Sequence, residues 1–357
     1  MKVCILGDGL TSLTLAKALV NKGIFVDIFL GKKKINYSKN QTLGISKNNI
    51  NFFNNHILNI DKIIWQLNKI DIFSQNLKDK KILTFNKKDD YLFSIVRNCE
   101  LYKILLLSLK KDSLFNQKSV INFDKLKNKS YKIIFNCDPN NEISKKYFNN
   151  SFVKDYKSEA FTAVIKHKKV INNTTATQIF TNEGPLAFLP ISQNETSIVY
   201  SIRKKEKIDF KNCVKSHNKK YSIMSFSKIN KFKLTSSNLR NYYKKNILAF
   251  GDLLHRLHPL AGQGFNMTLR DIKELLEIVN FKLDHGLDLD NSICIDFEKR
   301  MKHKNYLFSN GIDFIYEYFK FENKLRSSFL SNQLKIIGSN KKINSFFTKV
   351  ADRGLPI

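Results

Sequence analysis

Gly251-Asp252-Leu253-Leu254-His255-Arg256-Leu257-His258-Pro259-Leu260-Ala261-Gly262-Gln263-Gly264-Phe265-Asn266-Met267, closing at Asp271, is the stretch on which the fold turns. Before it comes Asn246–Phe250 (NILAF), an apolar run that reads as a strand, and after it a helix is expected from about 264 to 284. A strand ending on Gly-Asp, a Pro-Leu-Ala-Gly loop and a helix starting near Gly264 form a corner with specific chemistry. An Asp at the strand end accepts hydrogen bonds from sugar-like hydroxyls. Backbone N–H groups at a helix start stabilise negative charge on a planar ring, and Gly262 and Gly264 let a flat ligand lie against the backbone. His255 and His258, three apart, have no carboxylate or cysteine pattern to complete a metal site, so none is expected.

A second corner lies at the other end of the chain. Lys2–Leu6 (KVCIL) reads as a short strand that runs into Gly7-Asp8-Gly9-Leu10-Thr11-Ser12. Leu13–Asn21 follows as a packed helix, Gly23 closes it, and Ile24–Leu30 (IFVDIFL) is the next strand. This βαβ unit of about 30 residues opens a dinucleotide-binding fold. Gly7 permits the tight turn, Gly9 lets backbone approach a pyrophosphate, and Ser12 stands in for the usual third glycine. The acid that would grip an adenosine ribose at the end of the second strand is absent: Leu30 is there, followed by Gly31 and Lys32. Asp27 comes three residues early and is expected to point elsewhere.

Between the two corners the pattern changes. Residues 48–72 have helical spacing around Trp65, Lys80–Phe85 and Tyr91–Val96 alternate like paired strands with Lys87–Asp90 as their turn, and Asn98–Lys110 reads as a helix. Lys132–Cys137 is a buried strand that breaks at Asp138-Pro139. From about 152 to 240 short β-type runs dominate: Ala160–His167, Thr177–Phe180, Leu186–Ile191, Ser197–Ile202 and Lys231–Leu234. They indicate a second, mainly antiparallel domain. The last 60 or so residues look helical and aromatic, and stretches 31–41 and 203–220 read as solvated loops.

Composition narrows the classes. The 357 residues are 42% hydrophobic, which excludes wholesale disorder, and no uncharged apolar run reaches the ~18 residues of a membrane span. The N-terminus lacks the layout of a secretory signal. Five unpaired-looking cysteines suit a reducing compartment. The formal charge of +30 invites a nucleic-acid partner, yet Lys outnumbers Arg 53 to 8, and Arg is the better bidentate phosphate ligand. Abundant Lys, Asn and Ile point to A- and T-rich codons instead, so no nucleic-acid partner is expected.

The 251–271 stretch resembles the second FAD fingerprint of the aromatic-ring hydroxylase family, the single-component flavoprotein monooxygenases. That pattern, GD-x-x-H-x-x-HP-x-x-GQG-x-N-x-x-x-x-D, is matched at every fixed position. Glu183-Gly184-Pro185-Leu186-Ala187-Phe188-Leu189-Pro190 is similar to the substrate-domain motif of the ubiquinone-biosynthesis hydroxylases within the family. The likeness runs over all but about the last 40 residues.

The resemblance implies a p-hydroxybenzoate hydroxylase-like α/β fold: a Rossmann-like FAD-binding domain, an inserted mainly antiparallel β-sheet substrate domain and a helical C-terminus. The FAD-binding domain would comprise 1–75, 98–150 and 242–310, the substrate domain a hairpin at 76–97 plus 151–241, with C-terminal helices at 311–357. Gly7, Gly9, Leu10, Thr11 and Ser12 would hold the ADP half of FAD. Asp252 would meet the ribityl chain or pyrophosphate, while Pro259, Gly262, Gln263, Gly264, Phe265 and Asn266 would line the isoalloxazine. Gln41 stands where relatives carry an Arg that contacts the cofactor, and Asp138-Pro139 where they have Asp-Gly. The implied activity is an FAD-dependent monooxygenase that hydroxylates an aromatic ring through a flavin C4a-hydroperoxide, using O2 and NAD(P)H or another electron donor. Its substrate would be a polyprenylated phenol of ubiquinone biosynthesis, met by a cytoplasmic protein at the inner face of a membrane, with partners in a biosynthetic complex. The alternative is a divergent flavoprotein acting as reductase or assembly scaffold. No residue is assigned as a catalytic acid or base.

Overall fold

The computed structural model describes residues 1–31, 37–75, 80–87, 90–119, 126, 131–203, 209–257 and 263–325, with 80, 319, 320 and 322–325 as backbone alone. Strand β1 (Lys2–Leu6), helix α1 (Leu10–Val20) and strand β2 (Phe25–Phe29) form the expected βαβ unit, β1 and β2 pairing in parallel with Cys4 opposite Asp27. On the other side of β1 lies β9 (Ile134–Asn136), also parallel, and beyond it β17 (Ile247–Ala249). With β8 (Phe115–Lys118) outside β2 and the short antiparallel β16 (Tyr243–Lys244) at the far edge, the described sheet runs β16-β17-β9-β1-β2-β8. The chain leaves β1 for β2 on one side and later returns to β9 on the other. Such a switch point opens a crevice outside the carboxyl ends of the strands, where ligands of doubly wound sheets bind.

The helices of this layer are α1, α3 (Asn98–Lys110) and α6 (Gln263–Asp284), with α3 and α6 both packed on α1. Ala16 and Ala18 keep α1 slim, and Ile5, Leu15, Ile28, Phe135, Phe250 and Leu269 are fully buried in one continuous core. Each such side chain contributes on the order of 1.5–3 kcal/mol when taken out of water. Helix α2 (Lys47–His56), capped by Ser46, and the short α4 (Glu142–Tyr147), capped by Asn141, complete the surround.

A second described sheet is mainly antiparallel. It runs β18 (His255–Arg256), β15 (Asn230–Leu239), β10 (Ser151–His167), β13 (Glu195–Arg203), β12 (Pro185–Pro190), β11 (Thr175–Phe180), β5 (Lys69–Ser74) and β6 (Lys80–Asn86), with β14 (Ile223–Phe226) beside β10. Only β11 and β5 pair in parallel within it. A third sheet of β3 (Thr42–Ser46), β7 (Phe93–Arg97) and β4 (Ile64–Leu67) joins the two larger ones. Helix α7 (Ser292–Leu325) closes the described chain, and no described helix is long and apolar enough to cross a membrane. The α/β class, the antiparallel second sheet and the helical C-terminus match the sequence expectation; residues 326–357 lie outside the described ones.

Three local expectations are corrected. Residues 48–72 are helical only to His56, where Asn side chains capture the next backbone donors: Asn54 accepts from the Ile60 N–H and Asn59 from the Asp61 N–H. These local bonds compete with helix continuation, and β4 and β5 follow. The stretches 80–85 and 91–96 are strands but do not pair with each other. β6 pairs with β5, whereas β7, buried at Ser94, Ile95 and Val96, is a central strand that needs β3 and β4 on its two sides. Part of the 203–220 stretch is not a loop: α5 (Phe210–His217) buries Phe210 and Val214.

Asp27 is engaged by other side chains. It is fully buried and meets Lys118, Tyr131 and Lys2, the last at 3.0 Å. Burial acts to raise its pKa, but the hydrogen bonds from Lys118, Tyr131 and Lys2 outweigh it and hold the carboxyl below the usual range. A depressed folded pKa gives stabilisation that is fully present above the unfolded value of about 3.9 and lost as pH falls through the folded one. Asp27→Asn should therefore cost about 2 kcal/mol near neutrality and flatten the acid limb of a stability–pH profile measured by urea denaturation.

Candidate functional site

The crevice at the carboxyl ends of β1, β9 and β17 collects the two sequence corners. Gly7, at φ +96°, makes the turn after β1, and a Cβ there would stand 3.2 Å from Cβ of Asp138, the second residue after β9. Gly251, at φ +63°, makes the turn after β17, and a Cβ there would press to 2.6 Å from the Thr11 side chain. Two segments from opposite ends of the sequence thus touch at Gly251 and Thr11, and both turns are made by glycines at positive φ, which disfavours any side chain.

Gly9 is the N-cap of α1 and offers no side chain to its first N–H groups. Leu10 is buried, and its N–H donates to the Tyr37 hydroxyl at 3.0 Å. Burial, with the charges of Asp252 and Asp8 nearby, pushes Tyr37 up to about 12, so it stays neutral. Ser12, 1% exposed, donates to the Cys137 sulfur, whose thiol burial raises to about 12. Ser12 therefore replaces a third glycine by packing against β9. Asp252 is exposed in the turn after β17. Gln41 shapes a turn through its backbone, donating to the Ser38 carbonyl and accepting from the Asn98 N–H.

Asn266 is the organising residue. Fully buried near the start of α6, its Oδ1 accepts from the Ser46 N–H and from the Asn49 amide, both at 2.8 Å, while its Nδ2 donates to the Gly44 carbonyl at 2.9 Å. The Asn49 amide also reaches the Asn266 carbonyl at 3.3 Å. This clamp fixes β3 and α2 to α6. Phe265 beside it is buried in the core. Among the described residues, nothing lies within 4 Å of where a Gly264 Cβ would stand, and Gln263, 4% exposed, has no partner for its Oε1. An open backbone face and an unpaired buried oxygen at a helix start suit a ligand carrying hydrogen-bond donors. His258, Pro259, Leu260, Ala261 and Gly262 lie outside the described residues.

The remaining fixed residues of the fingerprint are braces. His255 of β18 bonds to Asp271 of α6, which accepts from Asn305 of α7 at 2.9 Å, all three at 2% exposure or less. Sequence reasoning missed Asn49, Ser46, Tyr37 and Asp8. Only Asp8, between two glycines, left a visible signal.

This fold is that of the FAD-dependent monooxygenases. The p-nitrophenol 4-monooxygenase PnpA of Pseudomonas putida DLL-E4 superposes with a TM-score of 0.78 at 10% identity, covering 98% of both chains. HpxO of Klebsiella pneumoniae, crystallised with FAD and uric acid, gives 0.74 at 11% identity over 98% of this chain and 97% of that one. By sequence the chain is similar to the mitochondrial ubiquinone biosynthesis monooxygenase COQ6 of Schizosaccharomyces pombe, 24% identical over 274 residues. It is also similar to the 3-demethoxyubiquinol 3-hydroxylase of Escherichia coli, 27% identical over 149 residues. The matches take in 63% and 39% of this chain, and the chain spans 57% and 38% of the length of those proteins. No protein-family model matches it. The resemblance first seen at 251–271 thus holds in both sequence and structure comparisons.

Asn266→Ala should strand the Ser46 N–H, the Gly44 carbonyl and the Asn49 amide at once. At about 1–3 kcal/mol for each buried unsatisfied group, the loss should reach about 3 kcal/mol or more in urea unfolding.

Proposed function

We propose that the chain is an FAD-dependent monooxygenase that hydroxylates the aromatic ring of a polyprenylated phenol in ubiquinone biosynthesis. The observation that carries this reading is the convergence of the two fingerprint corners, Gly7–Ser12 and Gly251–Asp252, at the switch point of the parallel sheet, with the open start of α6 beside them. The residues fit FAD. Gly7, Gly9, Leu10, Thr11 and Ser12 would hold the ADP half against the start of α1. Asp252, exposed in its turn, would accept from hydroxyls of the ribityl chain. Gln263 and Gly264 would meet the ring through the unpaired Oε1 and the open backbone face, with Phe265 and Asn266 fixing the helix. Pro259, Gly262 and Gln41 complete the proposed set.

Bound flavin supplies the redox and oxygen chemistry, with electrons from a nicotinamide nucleotide or another two-electron donor. The chain's own task is to hold the cofactor, align the phenol and keep water out. The mainly antiparallel sheet, whose Pro185–Pro190 strand is largely buried, would form the wall over the substrate. The buried His255–Asp271–Asn305 network fits a brace and is assigned no proton transfer.

A prenylated substrate resides in a membrane. Phe314 and Phe321 of α7 are 68% and 56% exposed, and with the +30 charge they support peripheral contact with an anionic inner face on the cytoplasmic side. Contact with other enzymes of the pathway is part of the same reading.

The test is turnover. Protein reconstituted with FAD, given reductant, 18O2 and a polyprenylated phenol, should yield a product carrying one 18O on the ring by mass spectrometry. Reductant consumption without ring oxygenation would contradict hydroxylation and favour the reductase reading. Absence of any turnover would favour the scaffold.

A further inference from the structure

The acid that a Rossmann-type site uses for the adenosine ribose normally stands at the end of the second strand. Here Leu30 is half-buried at that place, its N–H spent on the Lys118 carbonyl, and Asp27 is locked among Lys118, Tyr131 and Lys2. A carboxylate nevertheless reaches the same strand end from a different element. Asp8, between Gly7 and Gly9, is 7% exposed, and its Oδ1 accepts from the Gly31 N–H at 3.2 Å, one residue past Leu30. Among the described residues, only backbone N–H groups, those of Gly31 and of Asp8 itself, hydrogen-bond this carboxylate. No described cation neutralises it.

We infer that Asp8 is the ribose ligand of this chain: its carboxylate, supplied by the β1–α1 turn, accepts hydrogen bonds from the 2′- and 3′-hydroxyls of the adenosine half of FAD. The inference rests on the flavin reading above. A vicinal diol is the matching chemistry, because it donates two hydrogen bonds and brings no negative charge toward Asp8 and the neighbouring Asp138. A phosphate at the 2′ position would be repelled by both. Burial raises the pKa of Asp8, with Asp138 adding to it, and donors from a bound diol would act against that rise by stabilising the charged form. The Gly31 bond serves to aim the side chain across the crevice from β1 to the tip of β2. Charge-assisted bonds of this kind are strong enough to decide affinity.

The rival role is a purely structural staple between the β1–α1 turn and β2. A binding cycle separates the two. Affinities of the wild type and of Asp8→Ala would be measured by flavin fluorescence quenching, for FAD and for a flavin dinucleotide whose adenosine carries a 2′,3′-dideoxyribose. The wild type should prefer FAD by about tenfold or more, and Asp8→Ala should bind the two about equally. If Asp8→Ala does not fold, Asp8→Asn takes its place. It keeps an acceptor for Gly31 and should lose the charge-dependent part of the preference, several-fold.

A variant that keeps the wild-type preference would overturn the assignment to Asp8 and leave the flavin reading intact, as would a wild type that binds both dinucleotides alike. A wild type that binds neither would overturn the flavin reading and this assignment with it.

Discussion

A single buried amide holds the crevice edge of this molecule in register. Asn266 spends its oxygen on the Ser46 N–H and the Asn49 amide and its nitrogen on the Gly44 carbonyl. Those partners lie on β3 and α2, more than 200 residues earlier. In a water-free interior each of these groups would be costly to leave unpaired, so the clamp specifies one relative placement and penalises the rest. The consequence reaches outward. With α6 anchored, the Gly251 turn meets Thr11 of α1, and among the described residues Gly264 presents open backbone and Gln263 an oxygen without a partner. The His255–Asp271–Asn305 network then ties the second sheet and α7 to the same helix.

What the sequence made legible followed from rigid local requirements. The βαβ unit is readable because Gly7 must adopt a positive φ between an apolar strand and an apolar helix, and the second corner because Gly251 must do the same. The strand Glu195–Arg203, buried along most of its length, is likewise legible as a run of β-type residues. The region from 48 to 97 did not. There, apolar residues of β4 and β5 happen to fit a helical period, and helix termination depends on Asn side chains whose capture of Ile60 and Asp61 is a local competition. Strand partnering in 80–97 is set by contacts with β3, β4 and β5, which periodicity alone does not encode. Within the site, backbone-shaping glycines were legible, while Asn49, Ser46 and Tyr37 act through contacts across long sequence gaps.

Charge is distributed in an unexpected way. A chain of net charge +30 brings Asp8, Asp138 and Asp252 to one crevice, where Asp8 and Asp252 both act on Tyr37, and Asp138 on Asp8. On the proposed reading, phosphate recognition therefore falls to the N–H groups at the start of α1, a region that α-helices make electropositive without any side chain. One of those N–H groups, that of Leu10, now faces the Tyr37 hydroxyl, so Tyr37 either shifts or shares its donor when an anion arrives. Acidic groups in the same crevice favour hydroxyl-rich parts of a ligand over phosphate-rich ones, which matches the sugars of a flavin dinucleotide.

The central claim is that the two corners form one flavin site. The measurement that bears on it most directly is a titration of the purified protein with FAD, followed by the visible absorption spectrum. One FAD should bind per chain, with the flavin bands shifted and structured by a protected environment. A spectrum that stays that of free flavin throughout the titration would contradict it.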